Sequence, residues 1–260
     1  MDTFVLKLIV TPVLIGAASL AGRRWGQAVS GWFVGLPLTS WPIALFVALD
    51  HGAGFAAATA AGALAAATAE AAFCLAYAHA ARRRRWPLCL AAACLAFSAT
   101  AVVLRPLELP VIAVAAIVFA TLVLALRVMP AGSESPPTPP PRWDLPVRMV
   151  TATLVVVAIT EAAPSLGPKL SGVLGAFPVY AAILTVFGHR SGAASATQVL
   201  RGLLLGLFGF AGFFLVLALL IERAGLTLAF AGAIAMTIAI QTASLVFVLR
   251  APKALGATGA

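Results

Sequence analysis

Apolar residues run through this chain in blocks of helical length, and polar residues are confined to short gaps between them. One bilayer crossing takes about 20 mostly apolar residues in helical form. By that measure the first spans are 4–22, 31–49, 54–79, 86–104 and 110–128, and four more follow at 147–163, 172–188, 193–221 and 225–249. No stretch alternates apolar and polar positions with a turn every ten residues, so the pattern is not that of a transmembrane β-barrel. The expected fold is all-α, a polytopic transmembrane bundle of about nine helices. Between the fifth and sixth spans lies Pro130-Ala131-Gly132-Ser133-Glu134-Ser135-Pro136-Pro137-Thr138-Pro139-Pro140-Pro141. This run has no apolar face and too much proline for a helix, which makes it an exposed, semi-stiff linker. The chain thus divides into a first transmembrane unit at 1–128, a Pro-rich cytoplasmic linker at 129–146 and a second unit at 147–260.

Composition sharpens the picture: 62% of residues are hydrophobic and 10% charged, against about 25% charged in a soluble domain. Nine crossings leave no room for a soluble catalytic domain. The formal charge of +9 does not mark a nucleic-acid surface, because the basic residues lie between apolar spans without base-stacking aromatics beside them. They report topology instead, since Lys and Arg in short loops stay cytoplasmic. With nine spans, twelve basic residues fall on one side: Arg23, Arg24, the run Arg82 to Arg85, Arg127, Arg142, Arg148, Arg190, Arg250 and Lys253. Only Lys7, Arg105, Lys169 and Arg223 fall on the other, and Arg201 lies within a span. The expectation is a bacterial inner-membrane protein with its N-terminus outside and its C-terminus in the cytoplasm. The Arg82 to Arg85 run serves as an orientation anchor and also suits anionic headgroups. Cys74, Cys89 and Cys94 lack zinc-ligand spacing and read as small core residues. The segment Phe4 to Leu20 has the look of a signal peptide, but a matching helix recurs mid-chain, which favours a first membrane helix.

That recurrence is an internal repeat. Ser30-Gly31-Trp32-Phe33-Val34-Gly35-Leu36-Pro37 parallels Ser171-Gly172-Val173-Leu174-Gly175-Ala176-Phe177-Pro178, and His51-Gly52-Ala53-Gly54-Phe55-Ala56-Ala57-Ala58-Thr59 parallels His189-Arg190-Ser191-Gly192-Ala193-Ala194-Ser195-Ala196-Thr197. Five spans precede the linker, so the second unit enters from the opposite face and the two repeats have inverted topology, five helices plus four. The extra helix of the first unit is expected near 54–79.

Inverted repeats place binding sites where Gly or Pro interrupts corresponding helices. Gly35, Pro37, Thr39 and Ser40 form such an interruption, and Gly175, Pro178 and Tyr180 form its counterpart. Proline removes a backbone donor and clashes with the preceding turn, and freed carbonyls persist in a membrane only where protein or water satisfies them. These segments read either as broken helices lining a substrate path or as proline kinks used for packing. Glu70 and Arg201 are the charges lying well inside spans, away from their ends, and such charges tend to be paired or functional. Glu70 reads as a coupling carboxylate. Arg201, with Gln198 beside it, reads as a cation attracting an anionic group or as a side chain reaching the headgroups, and it suits Glu70 as an ion-pair partner. Asp50, His51 and Glu161 read as caps at the outer membrane interface or as groups that meet at an external mouth, and Gln241 and Thr242 are expected to bond neighbouring helices.

No His-Glu-x-x-His, Gly-x-Ser-x-Gly, Walker loop or Asp-rich box is present, so neither an enzyme, a metal site nor a cofactor is expected. From about Arg148 to Val248 the chain resembles the GlpM-like small integral membrane proteins. The resemblance rests on Leu170-Ser171-Gly172-Val173-Leu174-Gly175-Ala176-Phe177-Pro178, His189-Arg190-Ser191 and Leu200-Arg201-Gly202. It implies a four-helix unit for the second half and no substrate. The first half departs by its extra helix and by Trp41-Pro42. The expected function is a transporter or lipid-linked flippase working on a small-molecule or lipid-linked substrate among membrane lipids. The alternative is a non-transporting accessory or scaffold protein.

Overall fold

Alanine is the strongest helix former and the smallest side chain that a helix can pack on, and the Ala-rich segment Ala53–Ala80 becomes α4, the helix at the middle of the bundle. Most of its second half is enclosed, including Ala67, Thr68, Ala69, Ala71, Phe73, Cys74, Tyr77 and Ala78. The computed structural model describes residues 3–38, 40–104, 109–130, 143–158 and 177–250, with side chains given between residues 9 and 245. Before α4 come α1 (Thr3–Trp25), α2 (Gln27–Val34) and α3 (Ser40–His51); after it come α5 (Trp86–Leu104) and α6 (Val111–Val128). The second half contributes α7 (144–158), α8 (Val179–Arg190) and α9 (Ala193–Arg250). Gly225, at φ 77° and ψ 174°, divides α9 into two arms. An L-residue with a side chain is strained at that positive φ, whereas glycine is not.

The described residues are helical, with no strand among them. Four helical stretches are long and apolar enough to cross a membrane: Ala53–Ala80, Trp86–Leu104, Val111–Val128 and Ala193–Leu245. Large apolar side chains also face outward on many helices, among them Val13, Phe46, Leu95, Ile112, Val150, Leu154 and Ile238. A water-soluble surface does not carry such contiguous apolar area. Together these features make the chain a membrane-embedded helical bundle.

The core is built by α4 and the first arm of α9, which lie against each other. Leu64, Phe73, Leu200, Leu203, Leu207, Phe213 and Leu217 meet there, and α5 and α6 close one flank with Phe97, Val118 and Leu122. On another flank α1, α7, α8 and the start of α9 form a smaller cluster around Ile15, Ala152, Leu184 and Val199.

The expected segment 31–49 is two helices in the structure, α2 and α3, parted at the predicted interruption. The expected linker 129–146 ends earlier, because α7 is already helical at 144. Pro146 falls in its first turn, where the missing N–H costs nothing. Most of the proline-rich run lies outside the described residues.

Candidate functional site: the paired helix breaks

Each break is built around a proline. In the first, the Leu38 N–H donates to the Leu36 carbonyl across Pro37 (2.8 Å), and the Trp41 N–H donates to the Pro37 carbonyl (3.0 Å). In the second, the Val179 N–H donates to the Phe177 carbonyl across Pro178 (2.8 Å), and the Ala182 N–H donates to the Pro178 carbonyl (2.9 Å). Pro178 sits at φ −77° and ψ 65°, the dihedrals of an inverse γ-turn. Both breaks therefore make one three-residue turn and hand its central carbonyl to the next helix. Those helices, α3 and α8, are each 12 residues long, carry His51 and His189 in their last turns, and lead through Gly52 or Gly192, both at positive φ, into the two central helices.

The breaks meet. Leu38 from the first and Tyr180 from the second line one cavity of about 20 Å³, together with Leu14, Phe33 and Val34. That is room for about one water molecule. The Tyr180 hydroxyl shares a 3.1 Å hydrogen bond with the Thr11 hydroxyl of α1. Phe177 turns the other way and packs edge-on against Phe73 of α4 and Phe97 of α5, at 5.8 and 5.5 Å between ring centroids. Pro37 is buried, and Gly35 lies against Gly206 so closely that a Cβ there would stand 2.7 Å from the Gly206 Cα. Ser40 is half-buried at the start of α3. Thr39 and Gly175 lie outside the described residues, as does Glu161.

Glu70 is half-buried at mid-α4, one turn before Phe73 and Cys74. It forms no ion pair among the described residues. The suggested pairing with Arg201 is not formed: Arg201 and Gln198 are both exposed, near the start of α9, while Glu70 faces inward from α4. Asp50 and His51 are exposed at the end of α3, where His51 stacks on Phe55. Cys74, Cys89 and Cys94 are free, with the first two buried.

Gln241 bonds across from the second arm of α9 to the first. Its Nε2 donates to the Gly206 carbonyl (2.7 Å), and its Oε1 lies 2.8 Å from the Ser244 hydroxyl, which in turn accepts from Trp32 Nε1 (2.8 Å). This buried chain ties α2 to both arms of α9. Thr242 bonds only its own helix, through the Ile238 carbonyl.

Sequence reasoning missed a second polar cluster at one end of the bundle. Asp144 Oδ2 lies 2.8 Å from Arg148 Nε and 3.4 Å from Arg23 Nη2. Arg148 lies over the Phe187 ring, and Arg190 over Phe187 and Trp143. The spacing of Asp144 and Arg148, four residues apart on a helix, was the available signal, but the boundary drawn at 146 put Asp144 in the linker and Arg148 at the start of the next span.

His189 closes the same end, with Nδ1 3.2 Å from the Tyr77 hydroxyl. It lies past the span expected at 172–188, and burial pushes its pKa below the usual 6.5. A lowered histidine pKa means that the unfolded chain takes up the proton first, so this contribution is complete above about pH 6.5 and shrinks as pH falls below it. The thermal midpoint in detergent should therefore drop more between pH 8 and pH 5 for the native protein than for His189→Gln. Equal drops would show that His189 contributes nothing.

In comparisons with known proteins, the chain matches no family model, no curated protein and no solved structure.

Proposed function

We propose that this protein is a membrane transporter, a solute carrier or lipid-linked flippase, whose substrate path opens between the two proline breaks. The observation that carries the reading is the convergence of two identically built breaks, Leu36-Pro37-Leu38 and Phe177-Pro178-Val179, on one cavity. In this reading the halves are inverted repeats: α1 corresponds to α7, α3 to α8, α4 to the first arm of α9, and α5 to the second. In this correspondence the extra helix of the first unit is α6 and not the segment near 54–79 where it was expected, and the second unit is the four-helix, GlpM-like module. In this conformation the cavity has room for about one water molecule, so passage of a substrate requires the breaks to move apart. Glu70 supplies the charge on the central helix. The protein sits in a bacterial inner membrane, N-terminus outside.

A cysteine-free protein carrying Leu38→Cys, Ser40→Cys or Tyr180→Cys tests this in sealed vesicles with a membrane-impermeant thiol reagent. Reactivity at positions in both breaks, shifting from one side to the other with conditions, is the expected result. Gly35 is a poor probe because a Cβ there strikes Gly206. The second reading, a non-transporting scaffold, is favoured by the tight glycine packing beside the first break. It takes the lead if loop cysteines react and none of the three break positions does.

A further inference from the structure

At the end of the bundle that carries Asp144, positive charge outweighs negative. Among the described residues, Arg23 and Arg148 contact Asp144 and Arg190 lies over the ring of the adjoining Trp143, so these three cations outnumber the carboxylate by two. Asp144 and Arg148 are nearly enclosed, with side chains 9% and 4% exposed, whereas the Arg23 side chain is 32% exposed and held by one long contact. Trp25 and Trp143 stand exposed at the same level, as aromatic side chains do at the headgroup layer.

Beside this cluster runs a groove of about 520 Å³ between α1 and α7, lined by Pro12, Leu145, Met149, Val150, Thr153 and Leu154. Its walls are almost wholly apolar, and Val150 and Leu154 face outward. Pro12 and Arg23 lie about three turns apart on α1, so at 3.6 residues per turn they share a face. Arg23 therefore stands over the end of the groove, while Leu145 directly follows Asp144 in sequence. A cation at headgroup level capping an apolar groove that opens sideways has the chemistry of a phospholipid: phosphate above, acyl chain below.

We propose that this groove is a binding site for an anionic glycerophospholipid, with its headgroup phosphate on Arg23 and one acyl chain between α1 and α7. The charge surplus selects the headgroup, since a zwitterionic lipid leaves the two cations unmatched. The groove selects a lipid over a free anion.

The test is the melting midpoint of the full-length protein in mild detergent, with dioleoyl phosphatidylglycerol, dioleoyl phosphatidylcholine or inorganic phosphate added. Phosphatidylglycerol should raise the midpoint by a few degrees, as a ligand that binds only the folded state does, and the other two should not. Val150→Trp fills the groove from its outward side without touching the core, and should remove most of the shift. Arg23→Gln should do the same, while Arg223→Gln, at an exposed position of α9 away from the groove, should keep it. The proposal is overturned if phosphatidylcholine or phosphate gives an equal shift, if no lipid gives one, or if Val150→Trp retains it in full. Should Arg23→Gln fail to fold, Val150→Trp alone decides.

Discussion

Gly31→Ala, a change of one methyl group, should cost this protein most of its stability. The added Cβ would overlap the Val199 carbonyl oxygen of α9, with the Leu203 nitrogen only 2.9 Å away. Across the same contact, a Cβ on Gly202 would overlap the Ala28 carbonyl, and Gly35 meets Gly206. Each helix thus offers two glycines four residues apart, the arrangement that lets membrane helices approach backbone to backbone. Rotamer changes cannot relieve a clash with backbone, so the helices must separate. Overpacking costs about 1–3 kcal/mol where side chains can yield. Here the loss should reach at least the upper part of that range, despite a gain of about 1 kcal/mol in helix propensity from Gly to Ala. Gly62→Ala is the control, because its Cβ meets nothing within 4 Å. Unfolding of purified protein by increasing SDS should show Gly62→Ala at or above the native midpoint and Gly31→Ala far below it. Similar midpoints for the two would mean that the α2–α9 contact is looser than described.

Gln241→Leu should have the next largest effect. The substitution keeps the volume that fills the space against Gly209 but removes the donor to Gly206 and the Oε1 partner of Ser244. Interhelical hydrogen bonds in membrane proteins are worth about 0.6 kcal/mol on average and at most about 1.7. Loss of two polar contacts in a buried chain should thus cost about 2 kcal/mol. Trp32→Phe removes the far end of the same chain, so the two effects should not add: a double-mutant cycle should give a coupling above about 0.5 kcal/mol. Strict additivity would mean that Trp32 and Gln241 act independently.

The fold was largely legible because membrane insertion writes it in hydropathy. Span lengths found α4, α5 and α6 within a residue or two, and Pro37 with Gly35 located the division between α2 and α3. The breaks were legible as places and not as geometry: nothing in the residue order says that Pro37 and Pro178 make the same turn or that Leu38 and Tyr180 share a cavity. The absence of a pair between Arg201 and Glu70 was not legible, because depth is counted along a helix whereas contact depends on which face each residue occupies. The pair Asp144 and Arg148 was missed because proline density drew the linker to 146, between the two residues, and outweighed a four-residue charge spacing. Gly31, Gly35, Gly202 and Gly206 stood in the sequence from the start. Their pairing becomes visible only when α2 is set against α9.

That pairing also fixes an order of events during synthesis. Helix α2 leaves the ribosome long before its partner, the first arm of α9, exists. Until residues 199–206 arrive, the glycine face of α2 has no backbone to rest against, and α4 lacks the neighbour that completes its core. The first half of the chain must wait in the lipid as an unfinished assembly, and its last step of folding is governed by the end of the chain.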